Sequence, residues 1–425
     1  MKKAVKTVLG ALSVLLAASP LAAQAVAITG GTVHTVSGPP IEGGTVVIQD
    51  GRVTAVGRGV SVPAGARRVD ASGMVVTPGL FESFTHLGLV EVGAVDNTRD
   101  YAVQDDDHVT AAFNVADGLN PNSVVIPVTR VAGVTTAVAA PSGGLIAGQG
   151  VVIDLAGGSP AGLIASSPVA MFARLGAGAQ RAGGGARAGA TLRLREVLED
   201  ARVYGRMRDA FQRGATRDFS AGRLDLEALQ PVLSGELPLV VEAHRASDIR
   251  TALAIASEYD LRLVLAGGTE AWMVAGELAS AGVPVIVRVL QNLPSNFERV
   301  GARYDNAALL RAAGVPVVIS TFDTHNARNL TQEAGNAVAY GLPWEEALRA
   351  VTLYPARVWG MEDTHGSLEP GKVANVVVWS GDPLELLTTV EHVFIRGREV
   401  PLTSRQTELR DRYLDIGDRR RSYQH

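Results

Sequence analysis

EEALRAVTLYPARVWGMEDTHGSLEPGKVANVVVWSGDPLE, residues Glu345–Glu385, is predicted to begin as a helix and to end as strands. The helical pattern covers Trp344 to Val351, and Pro343 suits the first position of such a helix. Further on, a short apolar run lies between glycine turns, and VEHVFIRGREV (Val390–Val400) repeats that pattern. The chain therefore passes here from a strand–helix region into a β region.

A second β region precedes the strand–helix region. The apolar runs Thr45 to Ile48 and Val53 to Val56 are separated by the turn pair Asp50-Gly51, which is typical of antiparallel hairpins. Because two β regions flank a long middle, we expect residues 26–75 and 360–402 to fold together as one small discontinuous β-sandwich domain.

The middle of the chain, residues 76–359, alternates buried-strand runs with helical patterns. Such units at short spacing imply parallel strands with crossover helices, and about 280 residues of them match an eight-unit barrel. The predicted fold is therefore α/β, a TIM-like (β/α)8 barrel plus the β-sandwich, with a doubly wound open sheet as the alternative. The predicted strands are Val75 to Thr77 running into Leu80–Ser83, Val134 to Ala140, Leu237 to Ala243, Leu261 to Ala266, Val283 to Val289 and Val315 to Thr321, and the helices are Ser247 to Tyr259, Thr269 to Ala281 and Asn306 to Ala313.

Composition excludes several classes of function. The chain has 425 residues, 47% of them hydrophobic, which suits a large globular core. Its net charge of -4 provides no basic field for nucleic acid. It has no cysteine, so disulfides, thiolate-bound metals and thiol nucleophiles are excluded.

The N-terminal residues 1–25 read as a secretory signal peptide. A lysine-rich start precedes the apolar run Val8 to Ala18 and the small-residue cleavage pattern Ala23-Gln24-Ala25. The alternative is a retained membrane anchor, but the run is short for a span of about 20 apolar residues. We expect cleavage after Ala25 and a soluble protein without a membrane segment, located in the periplasm or secreted.

Two further segments differ in composition from the rest. LGAGAQRAGGGARAGA (Leu175 to Ala190) is of low complexity and predicts a mobile surface loop. The tail, residues 403–425, is charged and predicts a solvated helix, in which Arg419 to Arg421 form an exposed face.

Four blocks of the chain resemble the metal-dependent amidohydrolase superfamily in its imidazolonepropionase-like, prolidase-like branch. They are GGTVVIQDGRVTAVG (43–57), VVTPGLFESFTHLG (75–88), AGVTTAVAAPSGGLIAGQG (132–150) and residues 345–385. The resemblance implies the composite barrel-plus-sandwich architecture and divalent metal, zinc first, at the C-terminal mouth of the barrel. It also implies a proton-shuttling aspartate on the last strand and an amide, cyclic amide or small peptide substrate.

The resemblance implies an altered set of metal ligands at the first strand. The family pattern Asp-x-His-x-His falls on Glu82, Phe84 and His86, so one histidine remains. His86 is a candidate metal ligand. The alternative is a histidine that simply packs at the barrel mouth.

A second pair of candidate ligands lies in LPLVVEAHRASDI, where the family often has His-x-His. Here the pair is Glu242 and His244, which strand alternation places on the same side. A carboxylate can replace imidazole on zinc. Alternatively, Glu242 pairs with Arg245 or caps the following helix.

Two further family positions are changed. A third histidine position falls on Gly267, which has no side chain to offer, and the aspartate position falls on Phe322, with Asp323 one residue later. Asp323 is the candidate proton shuttle if the strand has already ended there, with His325 close by. The alternative is that Asp323 or Asn326 caps the next helix.

These substitutions leave two functional hypotheses of different classes. The first is an exported hydrolase of C–N bonds that uses His86, Glu242, His244 and Asp323. The second is a catalytically inactive pseudoenzyme that binds a ligand or serves as partner subunit of a complete amidohydrolase paralogue, and a homo-oligomer is also expected. A serine nucleophile such as Ser142 or Ser320 is a weaker third, since no Gly-x-Ser-x-Gly elbow is present.

Overall fold

The computed structural model describes residues 24–103, 108–291 and 293–414. The predicted signal peptide lies outside the described residues except for Gln24 and Ala25, and so does the arginine run of the tail. Within the described part of the chain, no helix combines the length and the apolar character that a bilayer crossing requires.

Strands occupy both ends of the described chain and alternate with helices between them. In chain order they are β1 (Val26–Val33), β2 (Ile41–Gln49), β3 (Arg52–Gly57), β4 (Arg67–Asp70), β5 (Val75–Pro78), β6 (Leu80–Thr85), β7 (Val134–Ala139), β8 (Ile146–Asp154), β9 (Ile164–Arg174), β10 (Leu239–Ala243), β11 (Leu263–Gly267), β12 (Val285–Val287), β13 (Val317–Ile319), β14 (Val376–Trp379), β15 (Val390–Ile395) and β16 (Arg398–Glu399).

The helices lie mainly in the connections between strands β6 and β14. They are α1 (Val125–Arg130), α2 (Pro160–Leu163), α3 (Arg187–Gln212), α4 (Arg223–Ala228), α5 (Gln230–Leu233), α6 (Ala246–Tyr259), α7 (Ala275–Ser280), α8 (Asn306–Ala312), α9 (Leu330–Ala339), α10 (Trp344–Ala350), α11 (Leu353–Val358) and α12 (Arg405–Leu414).

The first sheet joins the two ends of the chain. Its strands run in the order β16-β15-β14-β5-β1-β2-β3, with β4 beside β1. Strand β14 pairs antiparallel with β5, so the segment after the barrel returns to the segment before it. This confirms a separate, discontinuous β layer, while the boundaries assigned to the two domains stay predictions.

The second sheet is a nearly closed barrel. Its strands β6 to β13 are neighbours in chain order, whereas the doubly wound alternative would require a change of direction in that order. At the seam, the hydroxyl of Thr85 at the end of β6 donates to the carbonyl of Asp323 beyond β13 at 2.8 Å. The predicted α/β architecture with a barrel is confirmed.

One strand of the barrel departs from the regular repeat. Strand β8 runs antiparallel to both β7 and β9, and β7 and β8 are joined by a short connection without a helix. The remaining neighbours pair in parallel. The predicted parallel strands are therefore found as β6, β7 and β10 to β13, whereas β8 and β9 were not predicted and β8 interrupts the parallel order.

Alternation along strand β10 positions the candidate site. Leu239 and Val241 pack in the cluster that faces the helices, whereas Val240 packs in the barrel interior. Because side chains alternate along a strand, Glu242 and His244 face the same side as Val240, toward the mouth of the barrel. The expected common orientation of this pair is found.

The low-complexity segment is ordered, and the prediction of a mobile loop there is wrong. Gly176–Gly183 form a 3-10 helix and α3 begins at Arg187. Ala179 and Ala190 are buried in the core, and the carboxylate of Glu298 accepts the backbone N–H of Ala177. Small side chains allow close packing here, which the glycine and alanine content alone does not reveal.

Other predicted elements are shorter or begin differently. The helix predicted from Thr269 starts as a 3-10 turn, Ala271–Val274, before α7. The tail prediction agrees with α12, which has no buried residue.

Candidate functional site

A cavity of about 220 Å3 lies at the carboxyl ends of the barrel strands. Its walls bring together six positions that the sequence singled out, separately, on four different strands. They are Phe84, His86, Glu242, His244, Gly267 and Phe322. Their convergence is the arrangement expected at a barrel mouth, where active sites of this fold are built.

His86 follows strand β6 and is held in one tautomer. Its Nδ1 lies 2.8 Å from the carbonyl oxygen of Ala140, which can only accept, so Nδ1 carries the proton and Nε2 keeps a lone pair. The ring stacks on Tyr101 at 4.0 Å between centroids. Burial lowers the pKa of His86, and the side chain is therefore a neutral imidazole at pH 7.

Both ring nitrogens of His244 are occupied. Nδ1 lies 2.9 Å from the hydroxyl of Thr269, and Nε2 lies 3.0 Å from Nη2 of Arg299. A guanidinium has donors only, so Nε2 of His244 accepts and its lone pair is used. The expected alternatives for the pair, a bond to Arg245 or a helix cap, do not describe this geometry.

Glu242 is fixed as a carboxylate between cationic groups. Its Oε2 accepts from Nη2 of Arg174 at 3.1 Å, and its Oε1 lies 3.6 Å from Nε2 of His244. Burial alone would raise the pKa of Glu242, but the contact with His244 and the charges of Arg174 and Arg299 outweigh it and hold that pKa at about 2.

The residues at the mouth do not fit a divalent metal. The lone pair of His244 is taken by Arg299, and Gly267 has no ligand to offer. Catalytic zinc uses three protein ligands and a water. Within the described residues, no three histidine or acidic side chains come together in a way that could hold a metal ion. The donor set is thus incomplete, and a guanidinium occupies the place where a cation would bind His244.

Gly267 fits its position because it lacks a side chain. Its φ is +86°, and a Cβ there would lie 2.5 Å from Cε1 of His244. The ring of His244 therefore occupies the space that a third imidazole would need.

Aromatic rings form the floor of the cavity. Phe84 and Phe322 stack with centroids 4.8 Å apart, and Phe84 meets Phe172 edge-on at 5.6 Å. Phe322 has a positive φ of 49°, so its backbone is held in a conformation that is uncommon for a side chain of this size. Two positions that the resemblance assigns to histidine and aspartate thus form one apolar contact.

Glu82 is fully buried in the same strand, two residues before Phe84. Its carboxyl accepts the backbone N–H groups of Phe84 and Thr321, each at 3.1 Å, and a hydroxyl bond from Ser320. Burial raises the pKa of Glu82 to about 7 despite these donors. The residue holds the seam between β6 and β13 together.

Asp323 lies beyond the end of β13, and its carboxylate is already occupied. It accepts the backbone N–H of Asn326 at 3.1 Å, and Arg288 lies 3.8 Å away. Burial raises its pKa, and the bonds from Asn326 together with the charge of Arg288 lower it more. The bond from Asn326 lies before the 3-10 turn Ala327–Asn329, and neither this turn nor α9 has a side-chain cap, so the capping alternative is not found either. Nε2 of His325 lies 3.0 Å from the carbonyl of Glu91.

The two serines considered as nucleophiles have other partners. Ser142 accepts from Arg174 at 3.0 Å, and buried Ser320 donates to Glu82. No histidine hydrogen-bonds either hydroxyl in the part of the chain that the structure describes.

Three arginines at the mouth were not predicted from the sequence. Arg174 ends strand β9 and Arg288 directly follows β12, so a charged residue at the end of an apolar run was the available signal for both. Arg299 lies in the connection between β12 and α8 and had no such signal.

Comparisons with known proteins agree with the fold. The amidohydrolase family model matches residues 223–400. Amidohydrolase tasK of Hapsidospora irregularis is 24% identical over 387 residues, 83% of this chain and 39% of that protein. Imidazolonepropionase of a Polaromonas species is 37% identical over 102 residues, 23% of this chain and 22% of that protein. The chain thus spans well under half the length of these two relatives.

Solved structures extend the similarity to nearly the whole described chain. A prolidase crystallised with n-methylphosphonate-L-proline superimposes with a TM-score of 0.53 at 18% identity, over 89% of this chain and 99% of that chain, which supports the fold alone. An amidohydrolase from Thermotoga maritima MSB8 superimposes with a TM-score of 0.82 at 30% identity, over 88% of this chain and 99% of that chain. Since this similarity covers both the barrel and the β layer, the chain belongs to the metal-dependent amidohydrolase superfamily, a family of hydrolases.

Proposed function

We propose that this protein is a member of the superfamily that no longer hydrolyses its ligand and instead binds a small molecule at the barrel mouth. One observation carries the proposal: the guanidinium of Arg299 donates to Nε2 of His244. A fixed organic cation therefore stands where a metal ion would have to bind.

Charge and ligand number support the same proposal. A divalent ion beside Glu242 would lie close to the guanidinium groups of Arg174 and Arg299, whose charges repel it. It would also gain no ligand from Gly267 and would face the apolar rings of Phe84 and Phe322. Desolvating a divalent ion against such a wall is costly.

The proposed location of the protein is inferred from its N-terminal sequence. Residues 1–25 direct export to the periplasm or beyond, and the protein acts there as a ligand-binding subunit, by itself or with a complete amidohydrolase paralogue. Homo-oligomers are the alternative assembly.

A second candidate function is hydrolysis of an amide, cyclic amide or peptide with bound zinc. His86 favours it, because Nε2 of this neutral imidazole keeps a free lone pair at the mouth. In this candidate His86, Glu242 and His244 would hold the ion and Asp323 would move the proton. Arg299 would first have to leave His244.

Metal analysis combined with activity assays separates the two candidates. The protein is produced in cells supplied with zinc, manganese and iron, purified without chelators, and analysed for metal and for hydrolysis of dipeptides and lactams. We expect metal far below one equivalent and no hydrolysis. One equivalent of metal together with hydrolysis that Glu242→Ala abolishes would overturn the proposal. Co-purification from the native organism tests for the paralogous partner.

A further inference from the structure

The arginines at the barrel mouth are unevenly paired with carboxylates among the described residues. Arg174 and Arg299 share one carboxylate, that of Glu242, and only Arg174 hydrogen-bonds it. No carboxylate of the described chain lies within 4 Å of the guanidinium of Arg299, whose one hydrogen-bond partner there is the acceptor Nε2 of His244. Arg288, in contrast, has Asp323 and Glu333 at 3.8 and 3.5 Å. Among these three arginines, Arg299 is therefore the one without a paired carboxylate in the described chain.

An unused donor points to the same place. The Nε atom of Arg299 is buried and lacks a hydrogen-bond acceptor in the structure as described, whereas Nε of Arg288 has the carboxylate of Glu333 at 3.5 Å. Buried donors are normally satisfied, so such an atom at a cavity indicates a missing acceptor. A guanidinium presents parallel donors whose spacing matches the two oxygens of a carboxylate. The missing acceptor is thus expected to be a planar oxyanion.

The aromatic wall of the cavity determines which kind of group fits next to the oxyanion. The stacked rings of Phe84 and Phe322 line the same cavity as Arg299, and its volume of about 220 Å3 is several times the roughly 30 Å3 of one water molecule. Inorganic phosphate would satisfy the arginine but would leave the aromatic wall without a contact. A compact apolar body next to the charged head fills both.

We propose that the barrel mouth binds a small organic carboxylate, with the carboxylate on Arg299 and the apolar body on Phe84 and Phe322. This inference deepens the proposed function and rests on it, because a metal ion at Glu242 and His244 would occupy the same space. Arg299 then serves as the anchor for the ligand, and Arg174 keeps Glu242 ionised and turned away from it.

Calorimetric titration of the full-length protein in EDTA tests the inference. The probes are benzoate and cyclohexanecarboxylate, their neutral amides benzamide and cyclohexanecarboxamide, and inorganic phosphate. We expect saturable binding of the two carboxylates and none of the amides. Arg299→Ala should weaken carboxylate binding about tenfold or more, because a buried charge partner is removed.

Two further variants make the result specific. Arg299→Lys keeps the charge but loses the planar pair of donors, so we expect an affinity between those of the wild type and Arg299→Ala. If circular dichroism shows that Arg299→Ala is unfolded, Arg299→Lys is used in its place. Arg250→Ala, which removes an exposed arginine paired with Glu277 on the outer surface, should leave the affinity unchanged.

Three results would overturn the inference: no saturable carboxylate binding, equal affinity in the Arg299 variants, or phosphate binding as tight as benzoate. The proposed function fails differently. The proposed function would be contradicted by bound metal and hydrolysis in protein purified without chelators. Binding measured in EDTA tests the carboxylate site alone.

Discussion

Nη2 of Arg299 lies 3.0 Å from Nε2 of His244, a histidine that the superfamily resemblance assigns to metal binding. The guanidinium comes from the connection between β12 and α8 and ends on a side chain of the strand β10 region. The guanidinium of Arg299 thus takes the place of a metal ion at Nε2 of His244. The barrel mouth keeps a positive charge at this position, but the charge is that of a guanidinium and not of a metal ion.

Removing the guanidinium should not restore a metal site. In Arg299→Ala, His244 regains a free lone pair beside Glu242, 3.6 Å away, but among the described residues no third histidine or acidic side chain joins them to make the three ligands that catalytic zinc uses. We expect both the wild type and this variant to bind far less than one equivalent of zinc in competition with a chromophoric chelator. Stoichiometric zinc in Arg299→Ala that disappears in Arg299→Ala/His244→Ala would show that the arginine alone excludes the metal.

A side chain at position 267 should destabilise the mouth. Gly267→Ala places a Cβ 2.5 Å from Cε1 of His244 in a backbone with φ of +86°. The ring must move or the backbone must change, and we expect a loss of about 2 kcal/mol in the free energy of unfolding, measured by urea denaturation.

Gly276→Ala is the matched control for this loss. Gly276 lies exposed in helix α7, and nothing lies within 4 Å of a Cβ there. Alanine should stabilise this helix by about 0.5–1 kcal/mol. Equal effects of the two substitutions would mean that His244 does not constrain position 267.

Periodicity predicted most of the barrel, because buried parallel strands and amphipathic helices leave clear patterns. Strands β10 to β13 and helices α6, α8 and α10 lie within the predicted ranges or differ by one residue. Strand β8 was missed, since IAGQGVVID (Ile146–Asp154) reverses direction through contacts with its neighbours and not through its own pattern. The order of the segment around Ala179 was missed for a related reason: it depends on Glu298, far away in sequence.

The candidate site was predicted in part. Strand alternation correctly placed Glu242 and His244 on one side, and the motif positions Phe84, Gly267 and Phe322 do converge. The partners of these side chains could not be predicted, because Arg299 reaches His244 from a loop 55 residues away in the sequence. Local patterns do not determine such long-range contacts.

The buried carboxyl of Glu82 should make stability depend on pH. Its pKa is raised from 4.5 to about 7, so the unfolded chain releases this proton at lower pH than the folded protein. Stability from this group is therefore complete below about pH 4.5, falls as the pH rises toward 7, and is lower by about 3 kcal/mol above that. Urea denaturation of wild type and Glu82→Gln between these limits measures the effect.

The glutamine variant isolates this contribution. It cannot ionise, so the difference in unfolding free energy between Glu82→Gln and the wild type should shift in favour of the variant as the pH rises. Glu345→Gln serves as the control because Glu345 is an exposed carboxyl in the first turn of α10, and its difference from wild type should stay flat. A constant difference for Glu82→Gln would contradict the raised pKa.

An ion pair between Asp154 and Arg396 joins the barrel to the β layer. Asp154, at the end of strand β8, is 1% exposed and accepts from Nε of Arg396 at 2.6 Å and from Nδ2 of Asn375 at 2.9 Å, both from the C-terminal return. Asp154→Ala leaves Nε of Arg396 without its acceptor and removes one of the two acceptors of Asn375, and we expect a loss of about 3–5 kcal/mol. Asp411→Ala, which removes an exposed pair with Arg410, should change stability by less than about 0.5 kcal/mol. If both variants unfold at the same urea concentration as the wild type, the two layers are held together by apolar packing and not by this ion pair.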